Sequence, residues 1–355
     1  MTNYPRVIWN EQKLLHNARK LDELCGEHIE WVPVTKAVGA HPEIISSLHR
    51  QGYRKFADSR IQNLRTIKQY QPTLTTFLLR IPGIHEVEDV VRWADYSLVS
   101  EFETIEALRR EAKRQQKKHG VVLMIELGDL REGMLPEELL HVGEQVLRMP
   151  EIDWVGIGTN LTCYGAVIPT RENLGELIAL KSLVEDKLGH RLSVLSGGNS
   201  SSLALLMQRE IPAGINQLRL GESLLLGRET AYGNSIEGMY HDVFLLEAEV
   251  VEVKEKPSYP KGIMAKNAFG ETPVFVDRGI RRRAIVAIGE QDVPIADLVP
   301  VHQGVEIVGG SSDHTILDVT DYAGEIRVGS VIPFQMEYKA LMRTMTSGYV
   351  YKQKV

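Results

Sequence analysis

The chain has 355 residues, 43% of them hydrophobic and 25% charged, which is enough for a large core and for two domains. A formal net charge of −6 argues against nucleic acid as a partner, and only two cysteines, Cys25 and Cys163, leave no disulfide framework and point to the cytosol. The opening Met1-Thr2-Asn3-Tyr4-Pro5 lacks the apolar run of a signal peptide, and no stretch approaches a membrane span.

From about Ile29 to Glu222 short apolar runs alternate with helical patterns. The predicted strands are Trp31–Lys36, Lys55–Ser59, Thr76–Ile81, Tyr96–Val99, Val121–Leu127, Trp154–Asn160, Leu192–Leu195 and Gln217–Leu220. Continuous apolar runs of this length suit strands buried on both faces of a parallel sheet. Between them, Pro42 and Pro136 suit a first helical turn, and Ser100 with Glu103 reads as a capping box. Phe102, Ile105 and Leu108 then recur at helical spacing, as do Ile61, Leu64 and Ile67. Eight strand–helix units predict a (β/α)8 TIM-type barrel, with an open doubly wound sheet as the alternative.

Past Gly227 the pattern becomes extended. Val243–Val253, Ile285–Ile288, Val305–Val308, Thr315–Val319 and Val331–Met336 are separated by Gly, Pro and Asp, and no long helical stripe is visible. The division predicted is therefore a barrel over 1–235 and a mainly-β domain over 236–355. The basic run Arg281-Arg282-Arg283 reads as a solvated strand or an interface feature.

A barrel gathers its chemistry at the C-terminal ends of its strands, here Lys36, Asp58, Arg80, Ser100, Asp129 with Arg131, Asn160, Ser196–Ser200 and Arg219. Lys36 ends an apolar strand. A desolvated amine there would be a nucleophile able to form a Schiff base, while the plainer reading is a lysine that reaches out to solvent. The seventh end, Ser196-Gly197-Gly198-Asn199-Ser200-Ser201-Ser202, offers glycines for close approach and hydroxyls for an anion. A phosphate is the functional reading and a flexible turn with an N-cap serine the other. Arg219 either faces a ring nitrogen, which it would keep unprotonated, or pairs with Glu222 or another carboxylate. Gly156-Ile157-Gly158 lacks the third glycine of a dinucleotide fingerprint, and the eleven histidines show no ligand spacing, so no metal site is predicted. Asp313 beside His314 could move a proton or form a hydrogen-bonded corner.

Together these stretches resemble the fold-type III pyridoxal-phosphate enzymes, with an alanine-racemase-like barrel and β domain. The resemblance is carried by Val34-Thr35-Lys36-Ala37-Val38, Ala57-Asp58-Ser59-Arg60, Gly158-Thr159-Asn160-Leu161-Thr162-Cys163-Tyr164-Gly165 and the Ser196–Ser202 loop. Arg219-Leu220-Gly221-Glu222, Gly227-Arg228-Glu229-Thr230-Ala231-Tyr232-Gly233 and Ser311-Ser312-Asp313-His314 continue it. It implies pyridoxal 5'-phosphate on Lys36, with Arg219 at the pyridine nitrogen and Arg131 near the phenolic oxygen. Asn199, Ser200, Gly221, the N–H of Glu222 and Tyr349 would lie at the phosphate.

The same resemblance implies Ser312 and Asp313 at the substrate, presented by the partner subunit in a head-to-tail homodimer with shared sites. It also implies a racemase of ornithine or another basic amino acid using one base on each face of the substrate carbon. Lys36 is one base. Phe269-Gly270 stands where a Tyr-Gly pair is expected, so Asp313 and His314 are the candidates for the other, with Cys163 and Tyr164 behind them. Glu290, in Gly289-Glu290-Gln291-Asp292, is the candidate for a distal ammonium, against a surface pairing with Arg281. A cofactor carrier and an amino-acid decarboxylase on the same fold are the alternative functions.

Overall fold

The computed structural model describes residues 3–267 and 269–355, in two units. The first runs Glu11–His241, and the second joins the N-terminal residues up to Asn10 to Asp242–Val355. Strand β1 (Arg6–Trp9) belongs to the second unit. The next eight are β2 (Glu30–Pro33), β3 (Lys55–Asp58), β4 (Thr75–Leu78), β5 (Tyr96–Val99), β6 (His119–Met124), β7 (Ile152–Gly158), β8 (Val194–Ser196) and β9 (Gln217–Leu220). They form one parallel sheet in the order β2-β9-β8-β7-β6-β5-β4-β3. A parallel bridge between Val34 and Ala57, with the Thr35 N–H donating to the Ala57 carbonyl at 2.9 Å, joins the two edges and closes the barrel. With helices outside and side chains packed within, these strands are buried on both faces. That is why they read as unbroken apolar runs rather than alternating ones.

The helices follow the expected stripes, with Ile61, Leu64, Ile67, Ile105 and Leu108 all buried. Pro42 opens helix Pro42–Gln51, and Pro136 opens a short 3-10 turn ahead of helix Leu139–Val146. The Ser100–Glu103 capping box is not made. Helix Phe102–Arg114 has Glu101 at its N-cap, with no side-chain cap, which leaves Ser100 one residue outside. Strand β2 stops three residues before Lys36, because Lys36–Val38 winds into a 3-10 turn closed by Gly39 at φ 57°.

The second unit contains β10 (Phe244–Pro257), β11 (Ile280–Val286), β12 (Leu298–Pro300), β13 (Glu306–Gly310), β14 (Thr315–Asp318), β15 (Val331–Met336) and β16 (Tyr351–Lys354). The order is β12-β15-β10-β11-β14-β13, and β1 pairs antiparallel with β10 and parallel with β16. The described residues up to Asn10, grouped with the barrel on the sequence, thus belong to the β unit, and the barrel runs on to His241. A pairing between residues more than 200 apart leaves no local signal. Helix Tyr338–Thr346 was also not expected. Its buried residues Ala340, Leu341, Thr344 and Met345 make a stripe only two turns long, half of it small or polar. All three arginines of the basic run lie in β11. Arg281 pairs with Asp318 at 2.8 Å and Asp321 at 2.5 Å, Arg282 donates to the Ile326 carbonyl and Arg283 to that of Ser258.

Candidate active site

The barrel's C-terminal ends carry the first group of expected residues. Lys36 leaves the wall on its 3-10 turn, and its side chain stands open to solvent in the mouth. Crowding by the surrounding protein and the nearby Arg131 guanidinium still pull its amine below the usual lysine range, while Cys163, Asp58 and Glu222 act the other way. Asp58, at the end of β3, is fully buried. It accepts from Thr35 Oγ1 at 2.7 Å, the Arg60 N–H at 2.9 Å and Asn63 Nδ2 at 3.0 Å. Burial outweighs those bonds and raises its pKa. Asp58 therefore braces Thr35, the residue before Lys36.

Two strands along the barrel from β2, the loop after β8 is built for close approach. A Cβ at Gly197 would lie 2.6 Å from Ile215 Cγ2, and Gly198 has φ 108° with a Cβ position 2.9 Å from Ser202 Oγ. Ser202 Oγ donates to the Gly197 carbonyl, and Asn199 Oδ1 accepts the Ser201 N–H at 2.9 Å. Ser200 Oγ meets Ser223 Oγ at 3.1 Å and accepts the Ser223 N–H at 3.3 Å, tying this loop to the turn after β9. Gly221 lies in that turn, its Cβ position 3.1 Å from Val34. Ser201 Oγ is buried without a hydrogen-bond partner. A cluster of hydroxyls around glycines, with one buried hydroxyl unanswered, fits an anionic group such as a phosphate.

Arg219 is 3% exposed within β9. Its guanidinium donates to Ser196 Oγ, to the Thr159 carbonyl at 2.9 Å and to Asn160 Oδ1 at 2.6 Å. It does not pair with Glu222, which instead meets Arg228 at 2.8 Å. Burial lowers Arg219 to about 10, still protonated at neutral pH. Arg131 forks onto its neighbour Glu132 through Nε and Nη2, and that carboxylate raises its pKa. Asp129, 1% exposed, accepts the N–H groups of Cys163 at 3.1 Å and Tyr164 at 2.9 Å. It holds their loop in place, with Cys163 and the Tyr164 ring open to solvent. Burial raises the Cys163 thiol.

The remaining expected residues gather in one corner of the other unit. Gly289 lies so close to Ser311–Asp313 that a Cβ would sit 2.3 Å from the Ser311 carbonyl and 2.6 Å from the Asp313 nitrogen. The Glu290 N–H donates to the Ser311 carbonyl at 3.0 Å, and that of Gln291 to the Ser312 carbonyl at 3.0 Å. Ser312 Oγ donates to Asp313 Oδ2 at 2.5 Å, and Ser312, Asp313 and His314 are exposed. Glu290 accepts the Ile295 N–H at 3.1 Å, and Arg281 is engaged elsewhere. Ser347 Oγ donates to Asp292 and accepts the Tyr349 N–H, bringing Tyr349, 70% exposed, onto the same corner. Phe269 is exposed in the irregular stretch between β10 and β11 and has no ionisable group.

The alanine racemase N-terminal domain family matches residues 9–229. The chain belongs to the alanine racemase family. It is 45% identical to an ornithine racemase of Acetoanaerobium sticklandii over 352 residues, covering 99% of both chains. It is 42% identical to a lysine racemase of Thermotoga maritima over 353 residues, covering 98% of both. An alanine racemase of Bartonella henselae, solved with covalently bound pyridoxal phosphate, shares the fold at a TM-score of 0.75 and 18% identity, each chain covered in full. The barrel with its antiparallel β unit is thus the alanine racemase fold.

Two residues of the mouth were not singled out from the sequence. Glu132 looked like a charge next to Arg131, and only its bond to Asn160 marks it. Glu229 is fully buried and accepts the N–H groups of Ala231, Tyr232 and Asn234. The turn it builds donates the Thr230 N–H to the Ser200 carbonyl at 3.4 Å. A carboxylate just ahead of Thr-Ala-Tyr-Gly-Asn was the available signal. Among the described residues no group of three or more His, Cys, Asp or Glu side chains is arranged to hold a metal, and no helix is long and apolar enough to cross a membrane.

Proposed function

We propose that this chain is a racemase of basic amino acids, ornithine or lysine, that carries pyridoxal 5'-phosphate on Lys36. The observation that carries the reading is the pairing of an accessible, pKa-lowered amine with a hydroxyl-lined anion cradle in one barrel mouth, in a chain related end to end to an ornithine and a lysine racemase. The residues fit the cofactor. Ser200, Ser201 and Gly221, with Asn199, the Glu222 N–H and Tyr349, would hold its phosphate. Arg219, protonated at neutral pH, would hold the ring nitrogen as a donor only, and Arg131 would take the phenolic oxygen. When bound, the cofactor supplies the electron sink that acidifies the substrate's Cα–H.

The chain's own work is proton handling and selection. Lys36 Nζ takes or gives the proton on one face of the carbon, and its lowered pKa keeps a larger share of free amine near neutrality. Asp313 with His314 serves the other face, presented by the partner subunit of a head-to-tail homodimer. Ser312 orients Asp313 by its hydrogen bond. Glu290 receives the distal ammonium, a charge costly to desolvate without a carboxylate. The alternative carboxylates of the mouth, Asp58 and Asp129, are too buried to touch a ligand. With its two thiols free, the enzyme would work in the reducing cytoplasm.

Purified protein supplied with the cofactor and incubated with L-ornithine, L-lysine or L-alanine should yield D-enantiomer from the basic pair, read by chiral chromatography. Borohydride should fix the cofactor to Lys36, located by peptide mass spectrometry. Lack of inversion of every amino acid by a cofactor-loaded protein defeats the racemase reading, and fixation at another lysine in the Lys36→Ala protein defeats the assignment of Lys36.

A further inference from the structure

Arg219 poses a charge problem that the proposed roles leave open. It is almost fully buried, yet its hydrogen bonds go to three neutral oxygens, those of Ser196, Thr159 and Asn160. A buried cation without an anion is strongly unfavourable. The carboxylate that answers it lies one side chain away. Asn160 Oδ1 accepts from Arg219 while its Nδ2 donates to Glu132 Oε1 at 2.5 Å. The amide has one workable orientation here, since a guanidinium only donates and a carboxylate only accepts. Of the charges around Arg219, Glu132 is the one that most favours its protonated form. On its other side Glu132 takes Nε and Nη2 of Arg131. Arg131, Glu132, Asn160 and Arg219 therefore form one continuous chain, running from the loop after β6, past the end of β7, to β9.

We propose that Glu132 and Asn160 are positioning residues of the cofactor site, with Glu132 neutralising Arg131 directly and Arg219 through the amide of Asn160. The pair of guanidiniums then carries one net positive charge instead of two and is fixed as a unit. That balance suits a ring that offers one phenolic anion to Arg131 and an unprotonated nitrogen to Arg219. The inference rests on the function proposed above for the meaning of the two arginines. The charge chain itself can be tested without it.

The test is a cycle of Glu132→Gln, Asn160→Asp and the double variant, each read by thermal melting without cofactor and by absorbance titration with pyridoxal phosphate. Glu132→Gln removes the shared anion, so it should lower the melting temperature by several degrees and weaken cofactor binding about tenfold or more. Asn160→Asp alone places a second carboxylate against Glu132 and should also be harmful. In the Glu132→Gln background the same change puts a carboxylate directly on Arg219 and should recover both readouts at least in part. A merely structural asparagine would not reverse its sign in this way. Asn160→Asp that is equally harmful in both backgrounds overturns the proposal, as does Glu132→Gln with wild-type melting and binding. If Glu132→Gln alone fails to fold, a folded double variant supports the relay, and an unfolded one counts against it. A wild-type protein that binds no pyridoxal phosphate refutes the functional reading, while the melting arm still decides the relay.

Discussion

His119 illustrates how the barrel interior handles an ionisable side chain. It opens β6, is 1% exposed, and its Nε2 sits 2.8 Å from Ser97 Oγ. Burial lowers its pKa to about 4, with Lys117 adding to the effect and Asp95 opposing it. Above pH ~6.5 the ring is neutral in folded and unfolded chains alike and has no linkage effect. As pH falls from there towards 4, the unfolded chain takes up a proton that the folded one refuses, so folding stability is lost across that window. At ~1.4 kcal/mol per pH unit between the two values, the loss is about 3 kcal/mol. His119→Gln should keep a hydrogen bond to Ser97 and flatten this dependence. Melting curves of the two proteins between pH 7 and 4 check it: the wild type should lose ground on the variant steadily, and parallel curves would mean the ring is protonated when folded. Arg219 answers the same cost differently, by sharing a distant carboxylate through an amide.

At the level of elements, one tight joint is where Gly289 meets the turn before β14. The obstacles to a Cβ there are backbone atoms, at 2.3, 2.5 and 2.6 Å, so no rotamer change can make room. Gly289→Ala must push Ser311–Asp313 away, at a cost of about 1–3 kcal/mol. Expected are a melting temperature lower by a few degrees and a drop in kcat/KM of tenfold or more, since Glu290, Ser312 and Asp313 shift together. Cofactor fixation at Lys36 should be unchanged. Full activity in this variant would remove the corner from the site. Such joints explain what was legible in the sequence. Barrel strands could be read because burial on both faces leaves an apolar run in a single window, and β5 and β9 were located to the residue. The Lys36 turn, the glycine loop and Arg219 were visible as residue types out of place at strand ends. Glu132, Glu229 and the contact at Gly289 were not, because each acts through a backbone group or an amide that only the fold brings near. Strand β1 stayed hidden for the same reason, its partners lying near residues 244–247 and 351–354.

For the whole molecule, the residues with proposed roles are divided between the two units. The barrel holds Lys36, the anion cradle and both arginines, whereas Glu290, Ser312, Asp313, His314 and Tyr349 lie on the unit that contains β10 to β16. The two units are joined by the chain at Asn10–Glu11 and again at His241–Asp242. In the proposed mechanism the two faces of the substrate carbon are served by Lys36 and Asp313, one residue from each unit. If a site is made within one chain, a chain lacking either member is dead and no mixture can repair it. If it is made head-to-tail, the Lys36→Ala chain still offers an intact Asp313 to its partner, and the Asp313→Ala chain still offers an intact Lys36. Their hybrid dimer then contains one complete site and one doubly damaged site. Equal mixing gives about half hybrids, so about a quarter of wild-type racemisation should return. The measurement is D-ornithine formed from L-ornithine after co-incubation, with hybrid formation followed by native mass spectrometry. Hybrids that form in the expected proportion and stay inactive would place the whole site within a single chain.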